Sequence, residues 1–144
     1  MSHQSALNDL IVLLLEDDAL ISIDTEDALV SLGAARVLVA HTIDESEEII
    51  ARETIHAAVL DLVIGRGKSD ALACRILERG IPVIFASGFD NSASLPEELR
   101  AVPTVDKPYS PQALYDALSQ ALGRAETRPP PENQAPGPEP LAFR

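Results

Sequence analysis

Residues 11–18 read Ile11, Val12, Leu13, Leu14, Leu15, Glu16, Asp17, Asp18, an aliphatic run that breaks off into three consecutive carboxylates. A half-buried strand would alternate apolar and polar residues. This one is apolar on both faces, as a strand covered from both sides in a parallel sheet must be. Pro82 to Ala86 shows the same two-faced character, and Arg36 to Ala40, Ala57 to Leu60 and Thr104 to Val105 supply three more short β-branched or aliphatic runs.

The stretches between these runs have helical spacing. Leu20, Ile21, Asp24, Ala28, Leu29 and Leu32 form a stripe closed by Gly33, a residue that tolerates the positive φ of a helix end. Ile43 to Arg52 and Asp70 to Arg79 repeat the pattern, the second followed by Gly80. The last helix begins at Ser110, a capping residue, with Pro111 in the first helical position and Ala113, Leu114, Ala117, Leu118 and Leu122 on its inner stripe. Ser92 and Ser94 lead only into Pro96, Glu97 and Glu98, a short start, so the helix before the last strand is predicted to be truncated. Strands alternating with helices in this way predict an α/β fold: a five-stranded parallel sheet with helices on both faces and a ligand crevice at the carboxyl ends of the strands.

Composition narrows the function. The 144 residues hold 23 acidic against 11 basic side chains, a net charge of -12, which repels phosphate backbones and anionic membrane surfaces. Neither nucleic acid nor membrane is an expected partner. The longest apolar run, Leu10 to Leu15, is far shorter than the roughly 18 residues that a spanning helix needs. No secretory signal pattern opens the chain, and the single cysteine, Cys74, excludes an internal disulfide framework, so the expected compartment is the cytoplasm. Residues 124–144 carry six of the eleven prolines and balanced charge, and they read as a disordered tail, as do residues 1–8 at the other end. The domain is expected over residues 9–123, which carry all of the net charge.

The chemistry gathers at the strand ends. The first strand runs into Glu16, Asp17 and Asp18, the third into Asp61, the fourth into Ser87 and Gly88, and the fifth into Asp106, Lys107 and Pro108. In a doubly wound sheet these ends lie side by side, which brings the carboxylates to one pocket with a lysine and a hydroxyl. Two carboxylates about 4 Å apart repel by about 4 kcal/mol at an effective dielectric of about 20. The cluster therefore calls for a cation, and oxygen ligands with room for water suit Mg²⁺. Elsewhere the readings are plainer. Cys74 is a small apolar residue of the third helix, His41 and His56 have no metal-ligand spacing, Asp18 flanks the site, and Asp44, Glu45, Glu47 and Glu48 are a solvated helix face.

Glu16 and Asp17 after strand one, Asp61 after strand three, Ser87 after strand four and Lys107 with Pro108 after strand five resemble the receiver domain of two-component response regulators. The resemblance spans residues 9 to about 123 and implies a flavodoxin-like (βα)5 fold. It implies that Asp61 accepts a phosphoryl group from the phosphohistidine of a sensor histidine kinase or a histidine phosphotransfer protein. Asp17 and Asp61 would ligate Mg²⁺ directly, Glu16 largely through water, and the backbone carbonyl of Val63 would add another ligand. Lys107 would pair with the phosphoryl oxygens and Ser87 would hydrogen-bond them.

Three positions depart from the common pattern of that family. Thr104 stands where an aromatic three residues before the lysine often reports switching. The run Phe85, Ala86, Ser87, Gly88, Phe89 is similar to a subgroup known for Phe-Ala-Thr-Gly, which makes Phe89 the substitute aromatic. Gly65, Gly67 and Lys68 replace a proline-containing loop. The expectation is a stand-alone phosphorylation-dependent switch, not an enzyme beyond self-phosphorylation and self-dephosphorylation, that binds an unidentified downstream protein or relays phosphate. One rival is a Mg²⁺-dependent aspartyl-phosphate phosphatase of the haloacid-dehalogenase type, which wants Asp-x-Asp after its first strand. The other is a receiver-like interaction module that takes no phosphate.

Overall fold

The computed structural model describes residues 7–88 and 95–127. The readings of His3, Phe89, Ser92, Ser94 and the proline-rich tail beyond Thr127 fall outside them. Five strands, β1 (Ile11–Leu15), β2 (Arg36–Ala40), β3 (Ala57–Asp61), β6 (Val83–Ser87) and β7 (Thr104–Asp106), form one sheet in the order β2-β1-β3-β6-β7. Every pairing in it is parallel. Between them lie α1 (Ala19–Ser31), α2 (Ile43–Arg52) and α3 (Asp70–Glu78), and α4 (Pro111–Thr127) follows the last. The predicted flavodoxin-like architecture is the one observed.

The period of two along each strand sorts the core into two halves. Leu13, Leu15, Ala58, Leu60, Val83 and Phe85 point toward α2 and α3 on one face. Val12, Leu14, Ala57, Val59, Ile84 and Ala86 point toward α1 and α4 on the other. Each large aliphatic or aromatic side chain so buried contributes about 1.5–3 kcal/mol. Leu15 pairs with Ala40 and Leu60, Asp61 with Ala86, and Ser87 with Asp106, so the strands end almost level and the residues just past them form one rim.

Three details differ from the sequence reading, while the helix predicted to be truncated is short as expected. Leu20 is not on the inner face of α1: it is 77% exposed, and Ser22, Thr25 and Leu29 face inward instead. The hydroxyls can do so because Ser22 Oγ donates to the Ala19 carbonyl and Thr25 Oγ1 bonds Tyr109. A small antiparallel hairpin, β4 (Val63–Ile64) with β5 (Gly67–Lys68), stands where a plain loop was expected. Among the described residues between β6 and β7, the only helical turn is the 3-10 turn Glu97–Leu99. Finally, Leu7 is fully buried and α4 continues to Thr127, so the folded unit is wider than residues 9–123 at both ends.

Cys74 is a half-buried residue packed against the core on α3. Burial pushes its thiol up from the usual cysteine value, and the carboxylates of Glu98, Asp70 and Glu78 add to the shift. Only the thiolate alkylates. Iodoacetamide at neutral pH is therefore expected to modify Cys74 several-fold more slowly in the native protein than in the urea-unfolded chain, followed by intact mass, and equal rates would contradict this account of the thiol.

Candidate functional site

Past β1, the Glu16 amide still donates to the Ala40 carbonyl at 3.0 Å, so the ladder carries the first carboxylate into the rim. Glu16 is 1% exposed. Its Oε1 accepts from Lys107 Nζ at 2.8 Å and its Oε2 from the Asp18 amide at 3.0 Å. Asp17, next along, is exposed, and its Oδ2 accepts from the Gly65 amide at 2.9 Å. The third acid turns away: Asp18 Oδ1 caps α1 by accepting from the Leu20 and Ile21 amides at 2.9 and 3.0 Å.

Asp61 ends the central strand and is 5% exposed. Lys107 Nζ donates to its Oδ2 at 2.9 Å, and the Val63 amide points at its Oδ1 from 3.4 Å. One carboxylate oxygen each from Glu16, Asp17 and Asp61 lie within 4.8 Å of one another. Ser87 is buried at the end of β6, and its carbonyl accepts from the Lys107 amide at 2.8 Å, which fixes where the lysine leaves β7. The Lys107–Pro108 peptide is cis. Carboxylates and an ammonium predicted from three strand ends thus meet at one place.

No protein-family model matches the sequence, and no curated protein matches it either. Solved structures do. SdrG from Sphingomonas melonis Fr1 is 30% identical, with 86% of this chain and 100% of that chain covered and a TM-score of 0.66. A mutant of the anti-anti-sigma factor PhyR from Bartonella quintana is 27% identical over 85% of this chain and 52% of that chain, TM-score 0.68. The CheY-like response regulator receiver domain protein from Methanospirillum hungatei JF-1 shares the fold at 22% identity, covering 83% and 98% of the two chains with a TM-score of 0.71. The chain belongs to the response regulator receiver family.

Around this receiver's carboxylates lies a second layer that sequence reasoning missed. His41 Nδ1–H donates to the Glu16 carbonyl at 2.9 Å, bracing the backbone that carries the first two acids. Ser69 Oγ, fully buried, donates to the Asp61 carbonyl at 2.7 Å. The Tyr109 hydroxyl, two residues past the lysine, meets Thr25 Oγ1 at 2.6 Å and ties α1 to the lysine loop. Burial pushes the Tyr109 phenol up from its ordinary value. A run of Lys-Pro-Tyr before a helix cap was the available signal for that residue; His41 and Ser69 had none, because their partners are backbone atoms.

The charges are set by burial and by one another. Burial raises the Glu16 carboxyl, the Lys107 ammonium and the Asp18 amide pull it down, and the charge of Asp61 adds to the rise. Burial alone would depress Lys107. Its hydrogen bonds to Glu16 and Asp61, with their charges, outweigh burial and hold the ammonium above the usual lysine value. The receiver therefore keeps one ammonium between two buried carboxylates. Thr104 lies in β7 with its hydroxyl on the Val102 carbonyl at 3.3 Å, and Val63 stands 37% exposed beside Asp61 at the start of the hairpin.

Proposed function

We propose that this receiver is a signalling switch in which Asp61 takes a phosphoryl group from a protein phosphohistidine. The observation that carries the reading is Lys107 Nζ at 2.8 and 2.9 Å from Glu16 and Asp61, beside an Asp17 whose carboxylate reaches the same space. The donor set fits Mg²⁺, being all oxygen and open to solvent on the Asp17 side. Asp17 and Asp61 would hold the ion directly, Glu16 through water, and the Val63 carbonyl would be a further ligand. When bound, Mg²⁺ neutralises charge on the phosphoryl oxygens.

The rest falls to the chain's own residues. An Asp61 oxygen forms a bond to phosphorus as the bond to the histidine nitrogen breaks and the imidazole leaves with a proton from solvent. Lys107 then exchanges a carboxylate for a phosphoryl oxygen, and Ser87, at the level end of the neighbouring strand, would hydrogen-bond another. The donor is a sensor histidine kinase or a histidine phosphotransfer protein, and the phosphorylated form acts in the cytoplasm by binding a downstream protein or by passing phosphate on. No helix among the described residues is long and apolar enough to cross a membrane. The phosphatase rival loses support because Asp18, the extra acid after β1, is committed to capping α1. The test is incubation with candidate phosphohistidine donors and Mg²⁺, read as added phosphate on Asp61 by intact mass and peptide mapping; no incorporation from any donor would refute the reading.

The phosphate is expected to persist. Val63 is two residues past Asp61, on the approach a hydrolytic water would use, and its side chain can neither donate nor accept a hydrogen bond. Val63→Asn should shorten the phosphate's lifetime several-fold by offering an amide to hold that water. A variant that loses phosphate no faster than the parent would show that another group sets the rate.

A further inference from the structure

We infer that Tyr109 is a positioning residue for phosphoryl transfer: its hydroxyl, bonded to Thr25, holds the segment that presents Lys107 against the segment that presents Glu16 and Asp17. The inference rests on the phosphoacceptor reading above. Two cross-links join these segments. One lies inside the site, where Lys107 Nζ donates to Glu16 Oε1 at 2.8 Å. The other lies behind it, where the Tyr109 hydroxyl meets Thr25 Oγ1 at 2.6 Å across 84 residues of sequence.

The second link is tied to the first at both ends. Tyr109 follows Lys107 by two residues, across Pro108, whose ring fixes one backbone angle. Thr25 belongs to α1, which Asp18 caps, and the Asp18 amide donates to Glu16 Oε2 at 3.0 Å. The contacts therefore close a ring from Glu16 through Asp18, α1, Thr25, Tyr109 and Lys107 back to Glu16. Lys107 is held on its strand side by its amide on the Ser87 carbonyl, and Tyr109 is the hold on its other side. Burial raises the Tyr109 phenol, the Thr25 bond lowers it, and the charges of Glu16, Lys107 and Asp61 reach it as well, so the hydroxyl lies within the field of the site.

The two links fare differently in the reaction. The ammonium turns from a carboxylate to a phosphoryl oxygen, so the link inside the site is the one that changes, whereas the Tyr109–Thr25 bond involves no reacting group and persists. Phosphoryl transfer is largely positioning and charge neutralisation, and a misplacement of about 1 Å can cost about a hundredfold in rate. The fold has little need of the bond for its own sake. Thr25 is 2% exposed and the Tyr109 ring packs on the core beside α1 and α4, and a buried hydrogen-bonded pair replaced on both sides by apolar groups of the same shape is close to neutral in stability.

Thr25→Val, Tyr109→Phe and the double variant separate positioning from stability. Each full chain is given Mg²⁺ and phosphoramidate over a range of concentrations, and an Asp61 oxygen bonds to phosphorus as the P–N bond breaks and ammonia leaves with a proton from solvent. This donor is too small to reach α1 from Asp61, so a change in rate is no lost donor contact with the helix. Intact mass gives the rate, and a thermal melt is taken of the same samples. The maximal rate is expected to fall on the order of tenfold in each single variant with the half-saturating donor concentration unchanged, because neither hydroxyl touches the donor. The double variant is expected to melt close to the parent and to be as slow as either single one, since two groups acting through one bond lose it once. A parental rate in Tyr109→Phe, or a double variant that recovers the rate along with the melting temperature, would overturn the inference and leave Asp61 as the phosphoacceptor. A parent that takes phosphate neither from phosphoramidate nor from a phosphohistidine donor would overturn the phosphoacceptor reading and this inference with it.

Discussion

Asp61→Asn is expected to abolish phosphate incorporation while leaving the domain folded. The side chain ends the central strand and is buried, with Lys107 on one oxygen at 2.9 Å. An amide of nearly the same shape is no nucleophile toward phosphorus, and Asp18, which caps α1, does not take its place. The fold survives because Ser69 bonds the backbone carbonyl at position 61, not the carboxylate, and Lys107 keeps Glu16 at 2.8 Å. Without metal, three carboxylates share one ammonium, so removing a negative charge from the cluster should leave the melting temperature unchanged or slightly higher. Intact mass after exposure to a phosphohistidine donor and Mg²⁺, with a thermal melt of the same sample, measures both. Phosphate on the variant in parental amounts would remove Asp61 from its role.

What the sequence disclosed and what it hid have separate causes. Leu13, Leu14 and Leu15, like Ile84 and Phe85, are apolar on both faces, and only a covered parallel sheet accepts that. Parallel topology then aligns strand ends, so Glu16, Asp17, Asp61, Ser87 and Lys107 could be placed together although up to 91 residues separate them. Hydrophobicity misjudged α1, because Ser22 and Thr25 bury hydroxyls that find partners inside while Leu20 stays in solvent. The hairpin was invisible since strands of two residues carry no period, and its contact with the site, Gly65 N–H to Asp17, comes from a backbone donor that carries no side-chain signal. Thr104 was correctly seen to lack an aromatic. Tyr109, an aromatic two residues past the lysine, faces α1 through Thr25.

Lys107→Ala is expected to cost stability as well as signalling. The reason lies in burial: its carboxylate partners Glu16 and Asp61 have side chains 2% and 7% exposed, and the lysine itself is 16% exposed. Taking one partner out of a buried ionic group leaves the opposite charges without compensation, at a cost of about 3–5 kcal/mol. For a domain of this size the melting temperature should fall on the order of 10–20 °C in metal-free buffer. Two further measurements separate lost charge compensation from lost packing. Adding Mg²⁺ should recover part of the fall, because a cation again faces the carboxylates. Glu16→Gln placed in the Lys107→Ala background should recover part of it without metal, since the more deeply buried of the two uncompensated charges is gone, and the double variant should then be more stable than Lys107→Ala alone. A Lys107→Ala protein that melts at the parental temperature, or a double variant less stable than the single one, would show that the ammonium does not hold these two carboxylates in place.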